Sequence, residues 1–122
     1  MKKGAVVLIL SVLCITLLTG CSGASQAGVS EQVYKVGKNT IACIDKYLDG
    51  DISLAEAKST MSGMSDLIVP SNSKTSIQEA KELSIKILIR SLHFELLGPK
   101  QDIEEIIRLR NKLADELKIK KR

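Results

Sequence analysis

Apolar residues recur at every third or fourth position through most of this chain, and this spacing constrains its fold more than any other feature. On an α-helix, residues three and four apart share one face, so the pattern predicts amphipathic helices that each bury one side. No segment alternates apolar and polar residues with the period of two that a half-buried strand shows. The chain is therefore predicted to be all-α, a small antiparallel bundle of about four helices.

The first two predicted helices are joined by a short acidic turn. The first is predicted over residues 30–48, with a serine N-cap at its start. The second is predicted to begin at Ser53, which has capping-box spacing with Glu56, and to end near Ser62 or near Leu67. The apolar face of the first helix is predicted to comprise Val33, Val36, Thr40, Ile44 and Tyr47.

The third predicted helix, residues 76–97, is the most apolar, and Ser76 and Glu79 have the spacing of a second capping box. A helix that is apolar around most of its circumference is usually central in a bundle, so we expect residues 83–97 to be the most buried segment. The fourth helix is predicted over residues 100–118. The apolar face of the third helix is predicted to comprise Ile77, Ala80, Ser84, Ile87, Leu88, Ser91 and Phe94, widened by Leu83, Ile85, Ile89, Leu92 and Leu96.

The start of the chain has the order of an export signal: two lysines, an apolar run over residues 5–18, and small residues. The run is shorter than the about 20 residues of a transmembrane helix. It ends in Leu18, Thr19, Gly20 and Cys21, and this sequence resembles the lipobox of bacterial lipoproteins. The resemblance implies recognition of the first three residues by a signal peptidase, cleavage before Cys21, and a diacylglyceryl group on Cys21. The alternatives are an uncleaved N-terminal anchor and an ordinary secretory signal.

The resemblance divides the chain into a signal peptide (1–20), a lipidated cysteine with a flexible tether (21–29) and a helical bundle domain (30–122). The tether is predicted from its small and polar residues, which are typical of flexible linkers. The implied location is the cell membrane, with the domain lipid-anchored on its extracytoplasmic face. Both an outer membrane facing the periplasm and the outer leaflet of a single-membrane cell remain open.

Charge and aromatic content narrow the range of partners. The formal charge of +4 would fall to +2 once the two leader lysines were removed, whereas nucleic-acid binding requires a concentrated basic face. Two tyrosines and one phenylalanine leave little material for stacking on bases or sugars. We therefore expect no nucleic-acid partner. The expected partners are membrane lipid, bound through Cys21, and another envelope protein.

Residues 45–56 resemble the calcium loop of an EF-hand, which places oxygen ligands at fixed positions around a glycine. Tyr47 stands at the third position, where the pattern requires Asp or Asn, so the match is degenerate. The alternative is a helix–turn–helix connection, in which Asp49 and Gly50 end one helix and the next is capped. Calcium is the only cofactor for which the sequence contains a candidate site. Its predicted ligands are Asp45, Asp49, Asp51, Ser53 and Glu56.

Two further residues carry reactive groups without the helpers that catalysis needs. Cys43 lies beside the apolar face of the first helix, which favours a small buried hydrophobe; an intermolecular disulfide or a reactive thiol is the alternative. His93 is the single histidine and favours a surface or packing role. We therefore expect no enzymatic activity. The sequence favours a membrane-anchored protein-interaction module of the cell envelope, with a calcium-binding lipoprotein as the alternative.

Overall fold

The computed structural model describes residues 23–69 and 74–122, and the structural statements below refer to these residues. Four α-helices of eight or more residues follow one another: α1 is Glu31–Leu48, α2 is Leu54–Met61, α3 is Ser76–Leu97 and α4 is Ile103–Glu116. A 3₁₀ turn, Ser65–Leu67, follows α2, and the described ranges contain no strand. The predicted small all-α bundle is confirmed.

Contacts between the long helices define their directions. On α1, Gly37 lies against the side chain of Leu117, whereas Asp45, two turns further along, binds Arg110 of α4. Residue numbers therefore rise along α1 as they fall along α4, so the two helices are antiparallel. The N-cap residue of α1 donates its backbone N–H to Glu82 of α3 at 2.8 Å. Helices α1 and α3 consequently begin at the same end of the bundle.

The core is formed by one apolar face from each helix, together with residues of the connecting segments. The α3 face is completely buried, as expected for a helix that packs against both α1 and α4. The largest fully buried side chains are Val33, Thr40, Ile44, Met61, Ile85, Ile89, Leu92, Leu96, Ile106, Leu113 and Leu117.

Side-chain caps begin the helices, as local sequence predicts for two of them. Ser30 caps α1, accepting a hydrogen bond from the N–H of Val33, and Ser53 and Glu56 form the predicted capping box of α2. That helix ends at Met61, which agrees with the earlier of its two predicted ends. A backbone φ of +75° at Gly63 explains the stop, because glycine adopts this conformation without steric cost.

The predicted range of α3, residues 76–97, is confirmed, but its predicted cap and the predicted start of α4 need correction. The N-cap of α3 is Thr75, whose hydroxyl accepts the N–H of Gln78 at 3.2 Å, so the predicted capping box of Ser76 with Glu79 is wrong. Serine and threonine are comparable N-caps, so the sequence alone does not show which of the neighbours Thr75 and Ser76 caps the helix. Helix α4 begins at Ile103, three residues later than the predicted start at residue 100. Its N-cap is Asp102, whose carboxylate accepts the N–H of Glu105 at 3.2 Å.

The predicted flexible tether is wrong for its described part. Residues 23–27 are helical, and Ala24, Ala27 and Val29 are buried, with Ala27 fully so. The two alanines are three apart, so they share a helical face, and alanine has the highest helix propensity. Gly28, at a φ of +72°, then turns the chain into α1. The small side chains of this segment allow it to pack closely against the bundle.

The expectation that residues 83–97 would be the most buried segment is also wrong, because α1 buries more of its residues than α3 does. One face of α3 is completely buried, but several residues of its predicted apolar face are more than half exposed. Helices α1, α2 and α4 and the 3₁₀ turn all pack against the buried face of α3. None of these described elements covers its opposite side. The exposed apolar residues of α3 are Ile77, Leu83, Ile87, Phe94 and Leu97.

A buried charge joins the beginnings of α1 and α3. The Glu82 carboxylate, 3% exposed as a residue, accepts hydrogen bonds from the Ser30 backbone N–H at 2.8 Å and from Gln78 Nε2 at 3.1 Å, and pairs with the Lys74 ammonium. Burial alone would raise the pKa of Glu82. The hydrogen bonds and the Lys74 charge outweigh burial and hold the pKa below its ordinary value.

None of the helices within residues 23–69 and 74–122 is both long enough and apolar enough to cross a bilayer. The predicted signal peptide and its recognition residues Leu18, Thr19 and Gly20, as well as the predicted lipidation site Cys21, lie outside the described residues.

Candidate functional site

The structure does not assemble the predicted calcium ligands into a cation site. Asp45 points toward α4 and pairs with arginines, while Ser53 and Glu56 are engaged with each other in the capping box. Across residues 23–69 and 74–122, no group of three or more His, Cys, Asp or Glu side chains lies close enough to hold a metal ion. Asp49 ends α1 as its C-cap, so these residues are arranged as the helix–turn–helix alternative describes.

The ion pairs of Asp45 with Arg110 and Arg122 were not predicted from the sequence. Arg110 Nε and Nη2 donate to the two carboxylate oxygens of Asp45 at 2.9 and 2.8 Å, and its side chain is 7% exposed. Arg122 pairs with Asp45 and with Asp49. The hydrogen bond from Arg122 lowers the pKa of Asp49. An arginine within the apolar face of α4 was the available signal, because a buried guanidinium requires a carboxylate or carbonyl partner.

The two residues with reactive groups occupy structural positions. Cys43 is buried, its Sγ lies 3.9 Å from the carbonyl oxygen of Ala57 on α2, and burial raises the pKa of its thiol. A thiol is a weaker nucleophile than a thiolate, so this environment favours the predicted packing role over reactivity. His93 is partly buried on α3 and belongs to no metal-ligating group among the described residues.

The most distinctive surface of the described chain is the uncovered side of α3. Leu83, Ile87 and Phe94 are 57%, 54% and 75% exposed, and their spacing of four and seven residues places them on one helical stripe. We call these three residues the outer face of α3. It lies opposite the buried stripe formed by Ile85, Ile89, Leu92 and Leu96. Arg90 and Ser91 lie between Ile87 and Phe94 on this side of the helix. Clustered exposed apolar residues mark interaction sites more often than single exposed residues do.

Two grooves border the outer face, one toward each end of it. One, of about 450 Å³, lies between α3 and α4 and is lined by Ile87, Phe94 and Leu109 with charged residues at its rim. The second, of about 270 Å³, lies at the other end, where Leu83 meets Ile68 and Val69. The rim of the first groove includes an ion pair between Arg108 and Glu105. An apolar centre with a charged rim is the usual anatomy of a protein–protein interface.

Comparison with known proteins adds no family to this description: no protein-family model, no curated protein and no solved structure matches the chain. The functional interpretation therefore rests on the surface of the chain itself.

Proposed function

We propose that this chain is a lipid-anchored, non-catalytic interaction module of the bacterial cell envelope, which binds another envelope protein through the outer face of α3. The anchor is Cys21, in the sequence that resembles a lipobox. The location is the extracytoplasmic face of a membrane. The partner-binding residues are Leu83, Ile87 and Phe94.

The observation that carries the proposal is the second apolar face of α3. A bundle needs one apolar face per helix, so a second face with three large side chains more than half exposed has no role in packing this domain. Exposed apolar side chains favour aggregation, and a partner that covers them removes this liability. Phe94, the most exposed of the three, supplies the large and rigid side chain that typically anchors an interface.

The lipid anchor would act by raising the effective concentration of the domain for proteins in the same membrane. Two acyl chains attach a protein stably to a bilayer, because each buried CH₂ contributes about 0.8 kcal/mol. Confinement to one membrane raises the effective concentration of the domain for neighbours in that membrane. A modest apolar patch is then sufficient for a specific complex, without the large interface that association from solution requires.

Site-specific photocrosslinking in cells tests both parts of the proposal. A photoreactive phenylalanine analogue is placed at Phe94, and, as the matched control, at Ala55, which is exposed on α2. Each variant is made in the wild-type background and with Cys21→Ser. We expect a discrete adduct from position 94 that is strongly reduced with Cys21→Ser, and none from position 55. Absence of an adduct at position 94, or identical adducts from both positions, would contradict the proposal.

A further inference from the structure

The described domain begins close to the proposed lipid. Gly23, the first described residue, is separated from Cys21 by one residue, so their Cα atoms are at most about 7 Å apart. From Ala24 onward the chain is packed against the bundle, with Ala27 fully buried. Only Ser22 therefore lies between the described helical segment and the proposed lipidation site Cys21. A lipid on Cys21 would hold the surface beside Gly23 close to the bilayer.

That surface is the exposed side of α1. A Cβ at Gly23 would lie 2.6 Å from the Tyr34 hydroxyl oxygen, so the glycine backbone sits directly on the tyrosine. The Lys38 ammonium lies 5.5 Å from the centre of the Tyr34 ring. Lys35 is exposed on the same side of the helix. An amphipathic tyrosine beside lysines is a combination typical of membrane–water interfaces.

The C-terminal segment extends this basic surface. A groove of about 570 Å³ is lined by Tyr34, Lys35 and Lys38, and a second groove, of about 340 Å³, is lined by Lys38 together with Lys120 and Lys121. Lys38 lines both grooves, so the two are neighbours on the surface. We call Lys35, Lys38, Lys120 and Lys121 the basic face. Its acidic neighbours are Glu31 and Asp45, which line the two grooves, and Asp115, whose carboxylate lies 3.7 Å from the Lys121 ammonium. Asp45 is paired with Arg110 and Arg122, so the four lysines outnumber the remaining acidic neighbours and the basic face keeps a positive charge.

The lysines of the C-terminal segment are held in place by the fold. Lys118 reverses the chain at a φ of 58°, and the Lys120 carbonyl then accepts a hydrogen bond from Arg110 at 2.9 Å. Asn111 exchanges hydrogen bonds with the backbone of Arg122 at 2.8 and 3.2 Å. Lys120 and Lys121 are therefore presented from an ordered backbone beside α1, rather than from a loose tail.

We propose that the basic face docks on anionic lipid headgroups of the membrane that holds the anchor, so that the domain lies flat on the bilayer in one orientation. This inference rests on the proposed function, because it requires the lipid on Cys21. Helices α1 and α3 pack against each other, so their exposed sides point away from each other. Docking through α1 would consequently turn the outer face of α3 away from the lipid, toward a partner.

Lysine labelling of the mature lipidated protein tests this orientation. The protein is inserted into preformed vesicles of phosphatidylcholine alone or of phosphatidylcholine with phosphatidylglycerol, labelled with an amine-reactive reagent, and analysed by mass spectrometry. We expect labelling of Lys38, Lys120 and Lys121 to fall about fivefold in the anionic vesicles, since each basic residue near such a surface biases the bound state by about that factor. Labelling of Lys100, exposed between α3 and α4, should stay unchanged.

Charge reversal supplies the matched control. The double variant Lys120→Glu, Lys121→Glu should restore labelling of Lys38 in anionic vesicles. The control variant Lys100→Glu should leave Lys38 protected from labelling. Equal labelling of Lys38 in both kinds of vesicle would overturn the docking, as would protection of Lys100 together with the basic face. The mass of the Cys21 peptide is read in the same experiment. Unmodified Cys21 would overturn the anchor itself, whereas a lipidated but unprotected protein overturns only the docking.

Discussion

Arg110 donates two hydrogen bonds to the two carboxylate oxygens of Asp45, at 2.9 and 2.8 Å, across 65 residues of sequence. The same guanidinium donates to the carbonyl oxygen of Lys120 at 2.9 Å. One side chain thus joins α1, α4 and the C-terminal segment. It also explains why Asp45 is unsuited to be the first ligand of a calcium loop, because its carboxylate is already neutralised.

Replacing Arg110 by methionine should destabilise the fold. The substitution keeps much of the side-chain volume but leaves the Asp45 carboxylate and the Lys120 carbonyl without their buried donor, at a cost of about 1–3 kcal/mol. Denaturant unfolding followed by circular dichroism measures this cost. Arg108→Met on the same helix is the control, because Arg108 is exposed and pairs with Glu105 within α4. Equal losses from both variants would contradict the assigned role of Arg110.

Glu82 should make stability depend on pH. Its pKa is lower in the folded chain than the ordinary value of 4.5, so the folded state binds fewer protons than the unfolded chain near that pH. The stabilisation is present above pH 4.5 and is lost as the pH falls through the folded-state pKa. Glu82→Gln should lower stability at pH 7 by about 1–3 kcal/mol and flatten its dependence between pH 6 and pH 3, as denaturant titrations would measure.

The acidic turn should be insensitive to calcium. Asp45 is paired with Arg110, and Glu56 serves as part of the α2 capping box, so we expect the thermal midpoint to be the same in calcium and in chelator. Glu56→Gln should leave this result unchanged, since glutamine also fits a capping box. A rise in thermal midpoint with calcium that Glu56→Gln removes would instead establish the EF-hand-like interpretation.

The segment before α1 should behave as part of the domain. Ala27→Asp places a carboxylate at a fully buried position and should destabilise the fold by about 2–4 kcal/mol. Ser25→Asp, at an exposed position two residues earlier, introduces the same group and should leave stability nearly unchanged. Unfolding of the two variants measured side by side distinguishes a packed segment from a tether, since a tether would tolerate both.

Local sequence determined the four longer helices of this fold. The three- and four-residue spacing of apolar side chains predicted all four helices, and Ser30, Ser53 and Glu56 predicted two of their starts, because caps and helical periodicity are properties of neighbouring residues. The end of α3 at Gly98 is a local feature too, because a glycine followed by a proline disfavours continuation of a helix. The lipobox resemblance is likewise local and remains a prediction.

Tertiary structure decided what lies inside and what lies outside. Both sides of α3 are apolar in sequence, and only the packing of α1, α2 and α4 on one of them separates the buried Ile89 from the exposed Phe94. In the same way, the local sequence predicts that Asp45 is a metal ligand. The structure instead pairs it with Arg110 of α4, which is 65 residues away in sequence. Periodicity specifies which residues share a face. It does not specify which face finds a neighbour, because that depends on contacts between segments distant in sequence.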